Sequence, residues 1–147
     1  MIPKNKQGGL NERKEKMEKI TQKYTNHTEE EIEAFLLIIR KQINMGKFIV
    51  LNSKSREKNK KFIEEYRLNS NKQRQMVLAL ETKDFCYSVD DYNNAERLYI
   101  FCKEYELDNW GIIQKIDVYI KIALKKDDFV VVISFHEPER KIKKLFK

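Results

Sequence analysis

The chain has few of the residues that interrupt secondary structure or bind metals. Only four of its 147 residues are glycine and two are proline, which argues against a loop-rich or disordered chain. The two cysteines, Cys86 and Cys102, lack the spacing of a redox or zinc motif, and with only two histidines a His/Cys zinc site is not expected. We therefore expect neither a metal nor another cofactor.

Long apolar runs are also missing. No stretch is long enough to cross a bilayer, and the first residues, Met1-Ile2-Pro3-Lys4, lack the hydrophobic segment of a signal peptide. The basic residues 140–147 carry too little apolar area to anchor the chain to a membrane surface. We therefore expect a cytoplasmic protein without a membrane partner.

Acidic residues are outnumbered by basic ones, 23 to 30, which gives a net charge of +7. This excess favours a polyanionic partner such as nucleic acid, or an acidic protein, although a lysine-rich proteome would produce it as well. The 41% apolar content is enough for the core of one domain. We predict that residues 28–147 form a single domain and that residues 1–27 form a basic arm or an additional helix.

The first half of this domain has helical signals. Thr28-Glu29-Glu30-Glu31 is a capping box, apolar residues follow at helical spacing, and Gly46 is a typical helix end. Two further helices are predicted over residues 56–66 and from Ser70, which begins a second capping box, with a β-prone segment at residues 47–51.

The first turn of the second helix is basic. Arg56 and Lys58 lie there, where positive charges oppose the helix dipole. A solvated face tolerates them, and a site that binds an anion would explain them.

The second half of the domain alternates between apolar and polar residues with period two, as strands do. Residues 112–124 and 130–136 predict a β-hairpin, and residues 97–105 predict a preceding strand, joined to the hairpin by a loop at residues 107–111. Helices followed by strands indicate an α+β fold, with the N-terminal helices packed on one face of an antiparallel β-sheet meander.

The face of the sheet away from the core is predicted to carry chemically useful side chains. We place Asp117 opposite His136, a register that puts Tyr119, Lys121 and Ser134 on the same face as His136.

Matching the apolar faces of the strands adds Lys103 and Lys115 to this face. Tyr99, Phe101 and Tyr105 are then expected to be exposed, where they would stack on single-stranded bases.

These side chains suit RNA cleavage without a metal. The sequence has no GxSxG motif, no Gly-rich phosphate loop and no paired-carboxylate motif, which argues against most hydrolases and nucleotide enzymes. RNA cleavage needs a base near the 2′-OH, an acid for the 5′-oxygen and cations on the phosphate. His136 is the candidate acid or base. A solvent-exposed histidine and a solvated or protein-binding sheet face are the simpler alternatives.

Several segments together resemble the MqsR family of type II toxins, in particular its Gram-positive forms. They occur in family order within residues 30–147 and are Ser55-Arg56-Glu57-Lys58-Asn59, Leu80-Glu81-Thr82-Lys83-Asp84-Phe85, Ile100-Phe101-Cys102-Lys103-Glu104, Val118-Tyr119-Ile120-Lys121-Ile122 and Ile133-Ser134-Phe135-His136. The resemblance implies a RelE-like fold and a sequence-specific, ribosome-independent mRNA endoribonuclease that a cognate antitoxin neutralises.

The resemblance also implies roles for individual positions. Tyr119 matches the functional tyrosine of the family, and His136 stands where the best-known member has a functional lysine after Ser-Phe. Tyr87 falls at the position of another functional lysine, and Arg56 matches an arginine at a helix start. The functional glutamine of the family is matched by residue 102 or 103. These departures from the family pattern bear on which RNA sequence is cleaved and on whether RNA is cleaved at all.

The sequence thus predicts a toxin that cleaves single-stranded mRNA. Its predicted catalytic residues are His136, Tyr119, Lys121 and Lys103. Its predicted RNA-binding residues are Arg56, Lys58, Tyr87, Tyr99, Phe101 and Lys115. In the alternative interpretation, the chain is a non-catalytic regulatory module that binds nucleic acid or protein on the same fold. A monomer and a homodimer are both compatible with the sequence.

Overall fold

The structure, a computed structural model, describes residues 22–146. Its helices and strands are β1 (Lys23–Tyr24), α1 (Glu29–Asn44), β2 (Phe48–Val50), α2 (Glu57–Glu65), α3 (Ser70–Leu78), β3 (Phe85–Asp91), β4 (Glu96–Asn109), β5 (Ile112–Leu124) and β6 (Val130–His136). The six strands form one sheet in the order β1-β3-β4-β5-β6-β2, in which only the β2–β6 pair is parallel. The predicted α+β fold is confirmed, and β3 extends the meander to four strands.

Helix α1 forms as its sequence predicts. The Thr28 hydroxyl accepts a hydrogen bond from the Glu31 amide at 3.1 Å, and the Glu31 carboxylate accepts one from the Thr28 amide at 3.0 Å. The helix ends before Gly46, whose φ of +83° is a conformation that glycine adopts without strain. With 16 residues it is the longest helix among residues 22–146. No helix in this range is long and apolar enough to span a bilayer.

The other two helices form where the sequence predicts them, and α3 begins at Ser70 as expected, but the details of their N-termini differ. Helix α2 starts at Glu57, after a 3₁₀ turn at Lys54–Arg56. Helix α3 is capped by the side chain of Asn69, which accepts a hydrogen bond from the Lys72 amide at 2.8 Å, so the predicted capping box at Ser70 is wrong. Asparagine and serine are both strong N-caps, and the sequence alone does not decide between neighbours.

The core lies between the helices and one face of the sheet. Its largest fully buried side chains on the strands are aromatic and include Phe85, Phe101 and Phe135, while α1 contributes Ile32 and Ile39. Burying each such side chain stabilises the fold by about 1.5–3 kcal/mol. This packing fixes which face of each strand turns toward the helices.

The predicted arm of residues 1–27 falls mainly on residues 1–21, which lie outside the described range. Its last part belongs to the sheet, because Lys23 and Tyr24 pair with Val89 and Ser88 of β3. The Tyr24 hydroxyl also donates a hydrogen bond to Asp90 at 2.7 Å.

The β4–β5 hairpin is longer than predicted. Its turn consists of Trp110 and Gly111, both with positive φ, at 54° and 94°. Two central residues with positive φ are typical of a type I′ turn, which continues the twist of the strands. The predicted loop at residues 107–111 is therefore wrong, and the hairpin tip leaves Ile112 and Ile113 exposed.

The predicted register of the β5–β6 hairpin is also wrong. His136 pairs with Tyr119, and Asp117 pairs instead with Glu104 on β4. Next to the turn, the observed pairing differs from the predicted one by one residue. A β-bulge at Ile133, opposite Lys121 and Ile122, then shifts the pairing by one further residue.

The face prediction for the end of this hairpin nevertheless holds. Beyond the bulge, where Tyr119 pairs with His136, the register differs from the predicted one by two residues. A shift of two residues leaves every side chain on the same face of the sheet. Before the bulge, Val130 and Val132 face the core; after it, Phe135 does, while Ser134 and His136 turn to the other side.

Candidate active site

A cleft of about 1030 Å³ lies on the face of the sheet opposite the helices. Its floor includes Tyr119, Lys121 and His136. One wall is the start of α2, residues 55–59. The other wall belongs to residues 137–146, which we call the C-terminal strap. The sequence predicted an exposed face here, and the structure shows the strap crossing it.

The strap is attached to the start of β3. The Leu145 amide donates a hydrogen bond to the Phe85 carbonyl at 2.9 Å, and the Phe146 ring stacks on Phe85 with centroids 6.1 Å apart. Ile142 packs on a small apolar cluster formed by Cys86, Ile100 and Cys102. The strap thus runs from the end of β6 over β5 and β4 to β3.

The Tyr119 and His136 rings form the centre of the floor. The two residues face each other on neighbouring strands, and their rings stack with centroids 5.5 Å apart at an angle of 18°. Because both side chains are anchored on a sheet, their relative position depends on the strand register and not on a flexible loop.

His136 is held in one tautomer. Its Nδ1 lies 2.7 Å from the Glu137 carbonyl oxygen, which only accepts hydrogen bonds, so Nδ1 carries the proton and Nε2 is the free nitrogen. Burial lowers the pKa of His136 below its usual 6.5; the bond to Glu137 opposes this shift, and the charges of Lys58 and Lys121 add to it. At neutral pH the ring is therefore neutral and able to accept a proton at Nε2.

Tyr119 and Lys121 are perturbed in ways that also suit catalysis. Burial raises the pKa of Tyr119, and the neighbouring Tyr87 raises it further, so its hydroxyl stays protonated. Burial lowers the pKa of Lys121 from its usual 10.5, and the charge of Arg56 adds to this effect. A lysine with a lowered pKa donates a proton more readily than an exposed one.

The position of His136 depends on a buried asparagine. The Asn59 side chain donates hydrogen bonds to the carbonyls of Leu51 and Ile133, at 2.7 and 2.9 Å, and accepts one from the Phe135 amide at 2.8 Å. Beyond the end of β2, these bonds take the place of a neighbouring strand along the bulged part of β6. Asn59 thus joins the α2 wall to the strand that carries His136.

Positive charge is concentrated around the cleft. Among the described residues, eight lysine and arginine side chains line it, against the two glutamates Glu57 and Glu139. The cations are Lys23, Arg56, Lys58, Lys121, Arg140, Lys141, Lys143 and Lys144. A cleft lined mainly by one sign of charge attracts ligands of the opposite sign, here anions.

The predicted position of Lys103 in this site is wrong. In the β4–β5 register Cys102 pairs with Tyr119, whereas Lys103 pairs with the buried Val118 and lies on the helix side of the sheet. Its Nζ contacts the carboxylate of Asp84 at 3.2 Å, outside the cleft. The residue beside Tyr119 is Cys102, a buried thiol whose pKa is raised by burial.

The predicted stacking surface is wrong for the same reason. Tyr99 and Phe101 lie on the helix side, where Tyr99 stacks on Phe35 at 4.0 Å and Phe101 is fully buried. Tyr105 donates a hydrogen bond to the carbonyl of Met76, also on that side. On β4, these odd-numbered residues pair with the residues of β5 that face the helices, so their side chains lie on the opposite side of the sheet from Tyr119.

Lys115 does not reach the site either. It is exposed, pairs with Glu106 and lies four residues along β5 from Tyr119, which is about 13 Å. The cleft thus brings together six of the predicted residues, namely Arg56, Lys58, Tyr87, Tyr119, Lys121 and His136.

Sequence reasoning missed Asn59 and the cations of the strap. Asparagine is a weak helix former, so Asn59 inside a helix was a signal of a specific role. The basic composition of residues 140–144 was visible, but its position over the sheet was not.

Comparisons of the chain with protein-family models, curated proteins and solved structures found no match. Within residues 22–146, no group of three or more His, Cys, Asp or Glu side chains is arranged to hold a metal ion. The functional assignment therefore rests on the cleft itself.

Proposed function

We propose that this protein is an endoribonuclease that cleaves single-stranded mRNA without a metal, as the toxin of a type II toxin–antitoxin pair in the cytoplasm. The observation that carries the proposal is His136, fixed with Nε2 unprotonated and stacked on Tyr119 in a cleft lined by cations. An RNA backbone offers such a cleft both its phosphates and a 2′-OH within the substrate as nucleophile.

In the proposed reaction, Nε2 of His136 takes the proton of the 2′-OH, and the 2′-oxygen attacks the adjacent phosphorus. The bond from phosphorus to the 5′-oxygen breaks, and Lys121 gives a proton to that oxygen. Tyr119 positions the phosphate by a hydrogen bond from its hydroxyl, and Arg56 stabilises the charge that develops on the phosphate. The products are a 2′,3′-cyclic phosphate and a 5′-hydroxyl.

The resemblance to the MqsR family supports the same assignment. The matched Tyr119, His136 and Arg56 come from three separate parts of the chain, and all three line one cleft. The family resemblance extends the proposal to a RelE-like fold, to mRNA as the substrate and to a cognate antitoxin protein as the partner.

The proposal is tested by replacing the proton acceptor. Replacing a general base lowers the rate by about 10²–10⁴-fold, so His136→Ala should reduce cleavage of single-stranded RNA by this factor with EDTA present. The matched control is Lys126→Ala, an exposed residue in the β5–β6 turn outside the cleft, which should cleave like the wild type.

The ends of the products provide a second readout. Cyclic phosphate ends are expected with wild-type protein and should form more slowly with His136→Ala, by the same factor as the loss of cleavage. Cleavage by His136→Ala at the wild-type rate would contradict the assignment. Binding of RNA by the wild type without any cleavage would favour the non-catalytic module.

A further inference from the structure

An acidic side chain already occupies part of the cationic cleft. The Glu139 carboxylate on the strap contacts Nζ of Lys58 on the first turn of α2. Within residues 22–146, this is the only ion pair that joins the two walls of the cleft. The two side chains are 63% and 64% exposed, and a pair this exposed contributes little to stability.

The surroundings of this pair are poor in other acids. Arg56, Arg140 and Lys143 line the same cleft, and among the described residues none of them forms an ion pair with a carboxylate. Glu57, the other acid of the cleft, pairs with Lys61 at 3.3 Å, not with Lys58. The cleft therefore has an excess of cations around a position where one anionic group is already bound.

We infer that Lys58 forms a binding site for a backbone phosphate of the RNA, and that Glu139 occupies this site until the phosphate displaces it. A phosphate oxygen makes the same charge-assisted contact with a lysine as a carboxylate oxygen does. Lys58 and His136 line the same cleft, and the charge of Lys58 acts on the His136 ring, so this phosphate would neighbour the one that is cleaved. The inference rests on the proposed function and adds a second contact to the substrate.

Removal of the competing carboxylate should strengthen RNA binding. Glu139→Gln keeps the shape of the side chain and leaves Lys58 free, and we expect about two- to fivefold tighter binding, which is the range of an exposed ion pair. Lys58→Gln should weaken binding and reduce the slope of log affinity against log salt by about 0.7, the loss of one phosphate contact on a single strand.

The measurement uses the full chain and a fluorescent, single-stranded 2′-O-methyl oligonucleotide, whose blocked 2′-oxygen prevents cleavage. Affinity is determined by anisotropy at several salt concentrations. In the double variant Lys58→Gln/Glu139→Gln, the gain from Glu139→Gln should vanish, because its cause is the release of Lys58. Fully additive effects of the two substitutions would overturn the inference.

Two control variants each remove one negative charge at a position other than Glu139. Glu57→Gln changes the charge of the same cleft but does not release Lys58, and we expect a smaller gain than with Glu139→Gln. Glu30→Gln lies on α1 outside the cleft and should bind like the wild type. An equal gain from Glu57→Gln would show a general charge effect and would overturn the inference.

The outcomes also separate this inference from the proposed function. If Glu139→Gln binds more tightly but the wild type cleaves no unmodified RNA, the phosphate site stands and the nuclease assignment fails. If the wild type cleaves RNA but Glu139→Gln binds with unchanged affinity, the nuclease stands and the phosphate site fails. Tighter binding of polyglutamate than of the oligonucleotide would assign the cleft to an acidic protein and would also overturn the inference.

Discussion

At the scale of single residues, the environment of His136 decides its chemistry. The bond from Nδ1 to the Glu137 carbonyl would favour a charged ring, while burial and the nearby lysines favour a neutral one. The second group of effects is larger, so the histidine is neutral at neutral pH. A lysine at this position, as in the best-known member of the family that the sequence resembles, would be mainly protonated and would act as an acid.

The lowered pKa of His136 predicts the pH dependence of cleavage. Because the reaction needs the neutral ring, the rate should rise with pH and reach half its maximum below pH 6.5, the usual value for histidine. The measurement is kcat/KM for an RNA oligonucleotide as a function of pH. A midpoint above 6.5 would mean that the cleft stabilises the charged ring and would contradict the lowered pKa of His136.

At the scale of secondary structure, the bulge in β6 is the feature on which the site depends. Without the extra residue Ile133, the alternation that places Val130 and Val132 in the core would place Ser134 and His136 there as well. The bulge reverses the faces, and Asn59 binds the backbone on both sides of it. A side chain on α2 thus keeps the end of β6 in the register that the cleft requires.

Asn59→Ala should therefore affect both stability and activity. It leaves buried backbone groups without partners, each at about 1–3 kcal/mol, and we expect a loss of about 2–4 kcal/mol in the free energy of unfolding. Urea denaturation measures this loss. The remaining folded protein should cleave RNA more slowly, because β6 loses its register.

The control for this prediction is Asn71→Ala. Asn71 is exposed on α3, and its replacement should change stability by no more than about 0.5 kcal/mol. A small effect of Asn59→Ala would mean that the bulge is stable without its side-chain contacts.

At the scale of the whole molecule, Asp84 is contacted by side chains from both sides of the sheet. Its buried carboxylate contacts Lys103 from the helix side at 3.2 Å and Lys144 from the strap at 3.8 Å. The same carboxylate accepts a hydrogen bond from the Glu81 amide at 2.9 Å. We therefore expect Lys103 to support the position of the strap rather than to take part in the proposed chemistry in the cleft.

This assignment predicts that Lys103→Met lowers stability without abolishing cleavage. Loss of a hydrogen bond to a buried carboxylate should cost about 1.5–3 kcal/mol, measured by thermal or urea unfolding. The control Lys83→Met removes an exposed contact with Glu81 and should cost less than about 1 kcal/mol. Stable Lys103→Met protein without cleavage activity would restore the catalytic role that the sequence predicted.

The sequence by itself determined the features that depend on neighbours along the chain. Helix α1 follows from its capping box and apolar spacing, and the α+β class follows from helical periodicity that changes to period two. Tyr119 and Lys121 share a face because they are two residues apart on one strand. These relations are local, so no tertiary contact was needed to predict them.

Only the tertiary structure decided which parts of other strands join Tyr119. The choice of Cys102 over Lys103, and of His136 over Phe135, depends on strand register, and a shift of one residue exchanges the two faces. The register is fixed by the bulge and by Asn59, which is 76 residues away from Phe135 in sequence. The strap adds its cations to the cleft because Leu145 binds the edge of β3, a contact between distant parts of the chain.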